Sequence, residues 1–284
     1  MKFLIVLFFL VILYILLIEI VLPWIEAMTR PGPIANIEEQ DLQVLNCLSL
    51  ENGVGFNELW RKLKAKGHGV SYTQGQTCCG QLMTNSGCLE QARSSVEALG
   101  KALLKEPCDA VVAPAASCVV AARENLERLT SFEDFHALAG KIFELTEFLH
   151  DIAPLDHPLK PLRKTVSLQM SCHGLRQLGL GTASELVVAR PVNKLQALLS
   201  RIPELTITQP SRDECCGFGG TFSVDERDIS GKMANDKVAD HLATGAEAIV
   251  GYDPSCLMSL GGVVSRKGIP LEVMHFSALL NQVI

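Results

Sequence analysis

Glu214-Cys215-Cys216-Gly217-Phe218-Gly219-Gly220 sets two adjacent cysteines directly ahead of a glycine-rich turn. A buried thiol usually behaves as a small hydrophobe, but two thiolates carried on one turn can face a common metal centre. The glycines let the backbone fold tightly around a bulky ligand. The same device stands 137 positions upstream as Thr77-Cys78-Cys79-Gly80.

Each pair is flanked by one distant cysteine on either side. In the first set 30 residues separate Cys47 from Cys78 and 38 separate Cys79 from Cys118; in the second, 42 separate Cys172 from Cys215 and 39 separate Cys216 from Cys256. The last cysteines also share a local context, Asp109-Ala-Val-Val-Ala-Pro-Ala-Ala-Ser-Cys118 against Glu247-Ala-Ile-Val-Gly-Tyr-Asp-Pro-Ser-Cys256. Self-similarity in fixed order is the mark of a duplicated unit. Two homologous α/β repeats facing each other are expected, at residues 42–150 and 164–284, joined by a Pro-rich linker at 151–163.

Hydrophobic periodicity supplies the elements. Leu42–Asn46 reads as a strand delivering Cys47, Phe56–Leu63 as a helix, and Val70–Tyr72 as a strand before the first cysteine pair. Ser86–Lys105 and Val119–Leu129 read as helices around a buried strand at Ala110–Ala113, and Phe135–Leu149 as one more amphipathic helix. In the second unit, strands are expected at Thr165–Met170, Ala248–Gly251 and Leu271–Met274. Helices are expected at Val192–Leu199 and Ile229–Leu242 and at the C-terminus. The cysteines then fall where strands give way to helices, the carboxyl edge at which open α/β sheets gather ligands.

The chain has 284 residues, 48% of them apolar, enough for a real core in each unit. A net charge of −6 and no long basic run argue against nucleic acid as the main partner. Ten cysteines at this length are too sparse for a disulfide-stapled scaffold and point to a reducing, cytoplasmic compartment. Cys88 and Cys108 lie outside the repeat and read as ordinary thiols.

Phe3–Ile18 is an unbroken apolar run, extended by Ile20–Ile25, so residues 1–28 read as a single hydrophobic helix followed by a Pro/Gly linker at 29–41. With its flanks the run approaches the ~20 residues that span a bilayer, and an uncleaved membrane anchor competes with a signal peptide. If it is an anchor, residues 3–25 cross with the N-terminus outside, keeping the cysteines on the reducing side.

Four thiolates per unit match the ligand count of one iron-sulfur cluster, commonly held by Cys₄. Zinc also accepts Cys₄, although its ribbons usually show C-x₂₋₄-C knuckles and no C-x-x-C occurs here. The candidate ligands are Cys47, Cys78, Cys79 and Cys118 for one site, and Cys172, Cys215, Cys216 and Cys256 for the other. His173 and Arg176, just after Cys172, offer positive charge to that thiol or to an anionic cluster. No residue is assigned a catalytic role.

Gln76-Thr-Cys-Cys-Gly-Gln81, Cys172-His-Gly-Leu-Arg176 and Cys215-Cys-Gly-Phe-Gly-Gly-Thr-Phe-Ser223 resemble the motifs of the cysteine-rich CCG family, and most of all its lactate utilization A branch. Glycolate oxidase iron-sulfur subunits and the cysteine-rich subunits of heterodisulfide reductase are more distant relatives, and the resemblance runs from about residue 42 to the C-terminus. It implies an iron-sulfur-associated redox subunit, carrying a 4Fe–4S cluster, of an oxidoreductase complex. That complex would turn L-lactate, or a 2-hydroxy acid such as glycolate, into the 2-oxo acid, with other iron-sulfur subunits as partners. The competing reading is a zinc-binding scaffold without electron transfer. The heterodisulfide reductase chains carry C-x-x-C where this chain has Ala115 and Asp253, so the five-cysteine noncubane cluster is not implied. The apolar N-terminus is foreign to the family pattern.

Overall fold

Short runs of branched apolar residues, buried on both faces, form parallel strands when helices can cover them. The computed structural model describes residues 43–44, 70–155, 157–186 and 192–284. Three strands, β1 (Gln43–Val44), β2 (Val111–Ala113) and β3 (Ile142–Glu144), form a parallel sheet in the order β1-β2-β3, with β2 buried throughout. Its register pairs Gln43 with Val111 and Val111 with Ile142. A second parallel sheet runs β5-β4-β6-β7, built from β4 (Lys164–Gln169), β5 (Leu205–Thr208), β6 (Ala248–Gly251) and β7 (Glu272–His275). The path β4-β6-β7 repeats β1-β2-β3, so the duplication read from the cysteines is also present in strand order.

The helices of the first half are α1 (Gln81–Asn85), α2 (Leu89–Leu103), α3 (Ala116–Leu129), α4 (Glu133–Ala139) and the single turn α5 (Leu145–Glu147), which runs on as a π-turn at Phe148–Ile152. After β4 comes a second π-turn at His173–Gln177, then α6 (Lys194–Leu199), α7 (Phe222–Asp225), α8 (Arg227–Leu242), α9 (Pro254–Lys267) and α10 (Phe276–Val283). Helix α2 shows the local logic. Ala92, Val96, Leu99 and Leu103 recur on one buried stripe, while Glu90–Arg93 and Glu97–Lys101 pair outside it. Helix α9 starts on Asp253 with Pro254 in its first turn and stops at Gly268, whose φ of 62° suits a glycine cap.

The largest core is common to both sheets. Val112, Ala116, Leu145 and Phe148 pack in one cluster with Val166, Leu168, Tyr252 and Phe276. Gly174 is required there, because a Cβ would lie 2.2 Å from the Tyr252 hydroxyl.

Two expectations need correction. Phe135–Leu149 is not one helix: it contains the end of α4, the whole of β3 and α5. Its apolar residues fit a helical period, but Gly140 ends α4 and Ile142–Glu144 then pairs with β2. Tertiary pairing overrides the local pattern. The strand expected at Val70–Tyr72 is reduced to an isolated bridge residue at Ser71, so β5 has no full counterpart among the described residues. The hydrophobic segment 1–28, the linker 29–41, the helix at Phe56–Leu63 and Cys47 lie outside the described residues. Among the described residues no helix is long and apolar enough to cross a membrane.

Glu144 and His275 occupy matching places that the sequence did not advertise. Each ends the last strand of its sheet, and each caps the helix that follows, accepting from Thr146 N at 2.6 Å and Ser277 N at 3.2 Å respectively. Glu144 is fully buried, and one of its carboxylate oxygens has no hydrogen-bond partner among the described residues.

Candidate metal centre

Both cysteine pairs are built on the same turn. Gly80 and Gly217 adopt left-handed φ values of 84° and 83°. In each turn the glycine N–H donates back to the first cysteine, at 3.4 Å from Cys78 Sγ and 3.4 Å from Cys215 Sγ, and the left-handed glycine redirects the chain beyond it. The next N–H, of Gln81 or Phe218, turns to the second thiol, Cys79 or Cys216. No side chain larger than glycine fits either place. A Cβ on Gly80 would meet Val96 Cγ2 at 2.9 Å, and one on Gly217 would meet the Ser230 carbonyl oxygen at 2.6 Å. The second cysteine of each pair is also pinned by its carbonyl, which accepts from Asn125 Nδ2 at 2.9 Å in the first turn and from Ser259 Oγ at 3.4 Å in the second.

The outer cysteines arrive from the sheet edges. Cys118 and Cys256 stand in the first turns of α3 and α9, just beyond β2 and β6, and Cys172 lies between β4 and the π-turn. In the second half Cys215 interacts with the thiols of Cys172 and Cys216, and Cys216 in turn with Cys256. In the first half Cys79 interacts with Cys118 and Cys78. None of the seven described candidates is in a disulfide, and Cys79, Cys216 and Cys256 are buried.

The sulfurs share charge unequally. Cys215 is drawn down to about 2, first by hydrogen bonds from Cys172 and Cys216, then against burial by the Gly217 N–H and by His173. Its partners move the opposite way: Cys172 is raised by its bond to Cys215, by burial and by the neighbouring thiols, and Cys216 by Cys215, Cys256 and burial. In the first half Cys79 is raised by Cys118, partly offset by Cys78, and further by burial, while Cys78 is raised by Cys79. Clustered thiols cannot all ionise unless positive charge is placed among them.

The thiols meet pairwise. Among the described residues no three His, Cys, Asp or Glu side chains are gathered closely enough about one point to hold a single metal ion. The donors are soft sulfurs, four in the second half and three described in the first, and in each half backbone N–H groups are aimed at the adjacent pair, a set that fits a soft metal or an iron-sulfur cluster.

The two turns also face each other. Gln81 Nε2 lies 3.1 Å from His173 Nε2, while His173 Nδ1 is 3.6 Å from Cys172 Sγ. Ser86 and Thr221 share a hydroxyl contact at 3.2 Å, and Gly220 sits against Leu82. Of the two positive groups expected beside Cys172, His173 is in place. Arg176 is turned away, paired with Glu185 at 2.7 Å and with Asp213 at 3.8 Å. Asn125 and Ser259 carried no sequence signal, because only the fold brings their helices over the turns.

Fold and site define a class: a parallel α/β protein with a duplicated paired-cysteine turn at its sheets' carboxyl edges. The chain belongs to the cysteine-rich CCG domain family, which matches residues 46–122 and 166–261, and within it to the lactate utilization A group. It is similar to lactate utilization protein A of Lysinibacillus sphaericus, with 35% identity over 211 residues, covering 72% of this chain and 87% of the relative. The Bacillus licheniformis protein of the same name is 34% identical over 224 residues, covering 77% and 89%. That of Macrococcus caseolyticus is 33% identical over 233 residues, covering 81% and 89%.

Proposed function

We propose that this chain is an iron-sulfur-associated redox subunit in lactate utilization, passing electrons drawn from L-lactate or a related 2-hydroxy acid to partner iron-sulfur subunits. The observation that carries the reading is the twice-built turn, in which a left-handed glycine directs consecutive backbone N–H groups at two adjacent sulfurs. Such N–H···S bonds favour thiolate over thiol and set the potential of whatever metal the sulfurs bind. The names of the relatives supply the substrate class.

Cys172, Cys215, Cys216 and Cys256 would hold one cluster, and Cys47, Cys78, Cys79 and Cys118 the other. A bound cluster supplies one-electron transfer, which needs no hydride acceptor in this chain. The protein's own part is to keep the sulfurs ionised through the turn N–H groups and His173, and to bury Cys79, Cys216 and Cys256 away from oxidant. The Gln81–His173 contact ties the turns of the two sites together across the molecule. Residues 3–25 would serve as an anchor that holds the cysteine-rich part on the cytoplasmic side.

Anaerobic purification followed by iron, acid-labile sulfide and zinc analysis tests this reading. Iron and sulfide in equal amounts are expected, with the share held by the second site lost on Cys215→Ser and Cys216→Ser. Stoichiometric zinc without iron would replace the redox reading with that of a zinc-bearing scaffold.

A further inference from the structure

We infer that Asp253 is a positioning residue shared by both cysteine sites, its one carboxylate fixing the helices that carry Cys118 and Cys256; the consequence for metal binding rests on the ligand assignment above. Cys118 is the third residue of α3 and Cys256 the third of α9. A helix N-terminus leaves its first N–H groups without partners, and the residue ahead of the helix normally accepts from the second or third of them. For α9 that residue is Asp253, whose Oδ1 accepts from Ser255 N at 3.2 Å and from Ser255 Oγ at 2.5 Å. For α3 it is Ala115, which has no acceptor. The missing bond comes from the other half of the chain: Ser117 N, the direct counterpart of Ser255 N, donates to Asp253 Oδ2 at 2.8 Å.

Asp253 is 2% exposed, and its negative charge lies between two helix N-termini. Each helix has 14 residues and presents about half a positive charge, so together they offset one carboxylate. Both oxygens are thus engaged, and Asp253 is not a spare metal ligand. The duplication is asymmetric here: one copy of the capping position has no side-chain acceptor, and the other copy serves both helices. Displacing this side chain loosens the last cysteine of each site at once.

Timed alkylation of the full chain by iodoacetamide, metal-free and reduced, with each cysteine followed by peptide mass spectrometry, tests the inference without reference to the metal. Asp253→Asn keeps the size but only one acceptor oxygen, so one of Cys118 and Cys256 should react roughly fivefold faster than in the wild type, with Cys78 unchanged. Asp253→Ala should accelerate both. Adding Ala115→Asp to Asp253→Ala should restore protection at Cys118 and not at Cys256. Acceleration confined to Cys256 in both single variants, or none at either cysteine, would overturn the shared role; should Asp253→Ala not fold, Asp253→Ser, whose single hydroxyl serves as a local cap for α9 only, decides by acceleration at Cys118 without acceleration at Cys256, and its absence overturns the role. Iron uptake on anaerobic reconstitution is scored separately. Wild-type protein that takes up no iron yet shows this alkylation pattern keeps the capping role and loses the cluster reading.

Discussion

Gly217 shows how much one residue decides. Its left-handed φ costs any other residue about 1–2 kcal/mol, and here a Cβ would also press on the Ser230 carbonyl at 2.6 Å. Gly245 has a similar φ of 72° but open space around its Cβ. Gly245→Ala should therefore cost only the conformational term in urea unfolding, whereas Gly217→Ala should cost clearly more and remove metal uptake at the second site alone. Equal losses for the two would show that the turn at Cys215 tolerates movement. Glu144 is a second such residue. Burial raises its carboxyl to about 8, against opposing hydrogen bonds from Thr146 and Glu147. The native state keeps a proton that the unfolded chain releases near 4.5, so stability falls as pH rises from about 4.5 through 8. Glu144→Gln removes the titration and keeps the cap acceptor; its stability should change less between pH 6 and 8.5 than that of the wild type, as followed by denaturant midpoints.

At the level of elements, α8 is fastened to the second sheet through a ring rather than through a simple apolar stripe. His241, fully buried, accepts from Ser167 Oγ through Nδ1 at 2.8 Å and donates through Nε2 to Gln169 Oε1 at 2.8 Å, both partners lying on β4. Burial, with the Lys237 charge next in importance, lowers its pKa to about 3. The unfolded chain takes up a proton near 6.5 that the native state refuses, so stability declines as pH falls from 6.5 towards 3. His241→Gln should flatten this acid arm, at some cost to stability at pH 7. Parallel pH profiles for variant and wild type would mean that other groups set the acid limit. His275 is likewise lowered, to about 4, chiefly by burial, and adds to the same arm.

Across the whole molecule, the two sheets share their largest interior, although each half also keeps a smaller cluster of its own. Leu145 and Phe148 from one half pack in the same cluster as Leu168, Tyr252 and Phe276 from the other, and residues Glu39–Ile284 make one compact unit. Halves expressed apart, cut within the 151–163 linker, would each expose that shared apolar face. We expect residues 42–153 and 161–284 to be insoluble or unfolded when produced singly, to be recovered together on co-expression, and the intact chain to unfold in a single transition. A soluble half with native-like near-ultraviolet dichroism would refute the shared core.

Some of this was written in the chain itself. Adjacent cysteines followed by glycine, repeated with their outer partners in fixed order, announced the duplication and the candidate ligands, because a sulfur site needs residue types that chance seldom arranges twice. The central strands β2, β4 and β6 were equally legible, β2 and β6 as short continuous apolar runs and β4 through Val166 and Leu168 at alternate positions. Strand β3 was not, because Ile142-Phe143-Glu144 gains its partner only when β2 is already in place, and its spacing imitates a helix. Asn125 and Ser259 over the turns, and Asp253 serving α3 from 136 positions away, were decided by tertiary structure alone. A hydrogen bond between residues so far apart leaves no period or motif to read, and exists only because the two sheets pack with their carboxyl edges together.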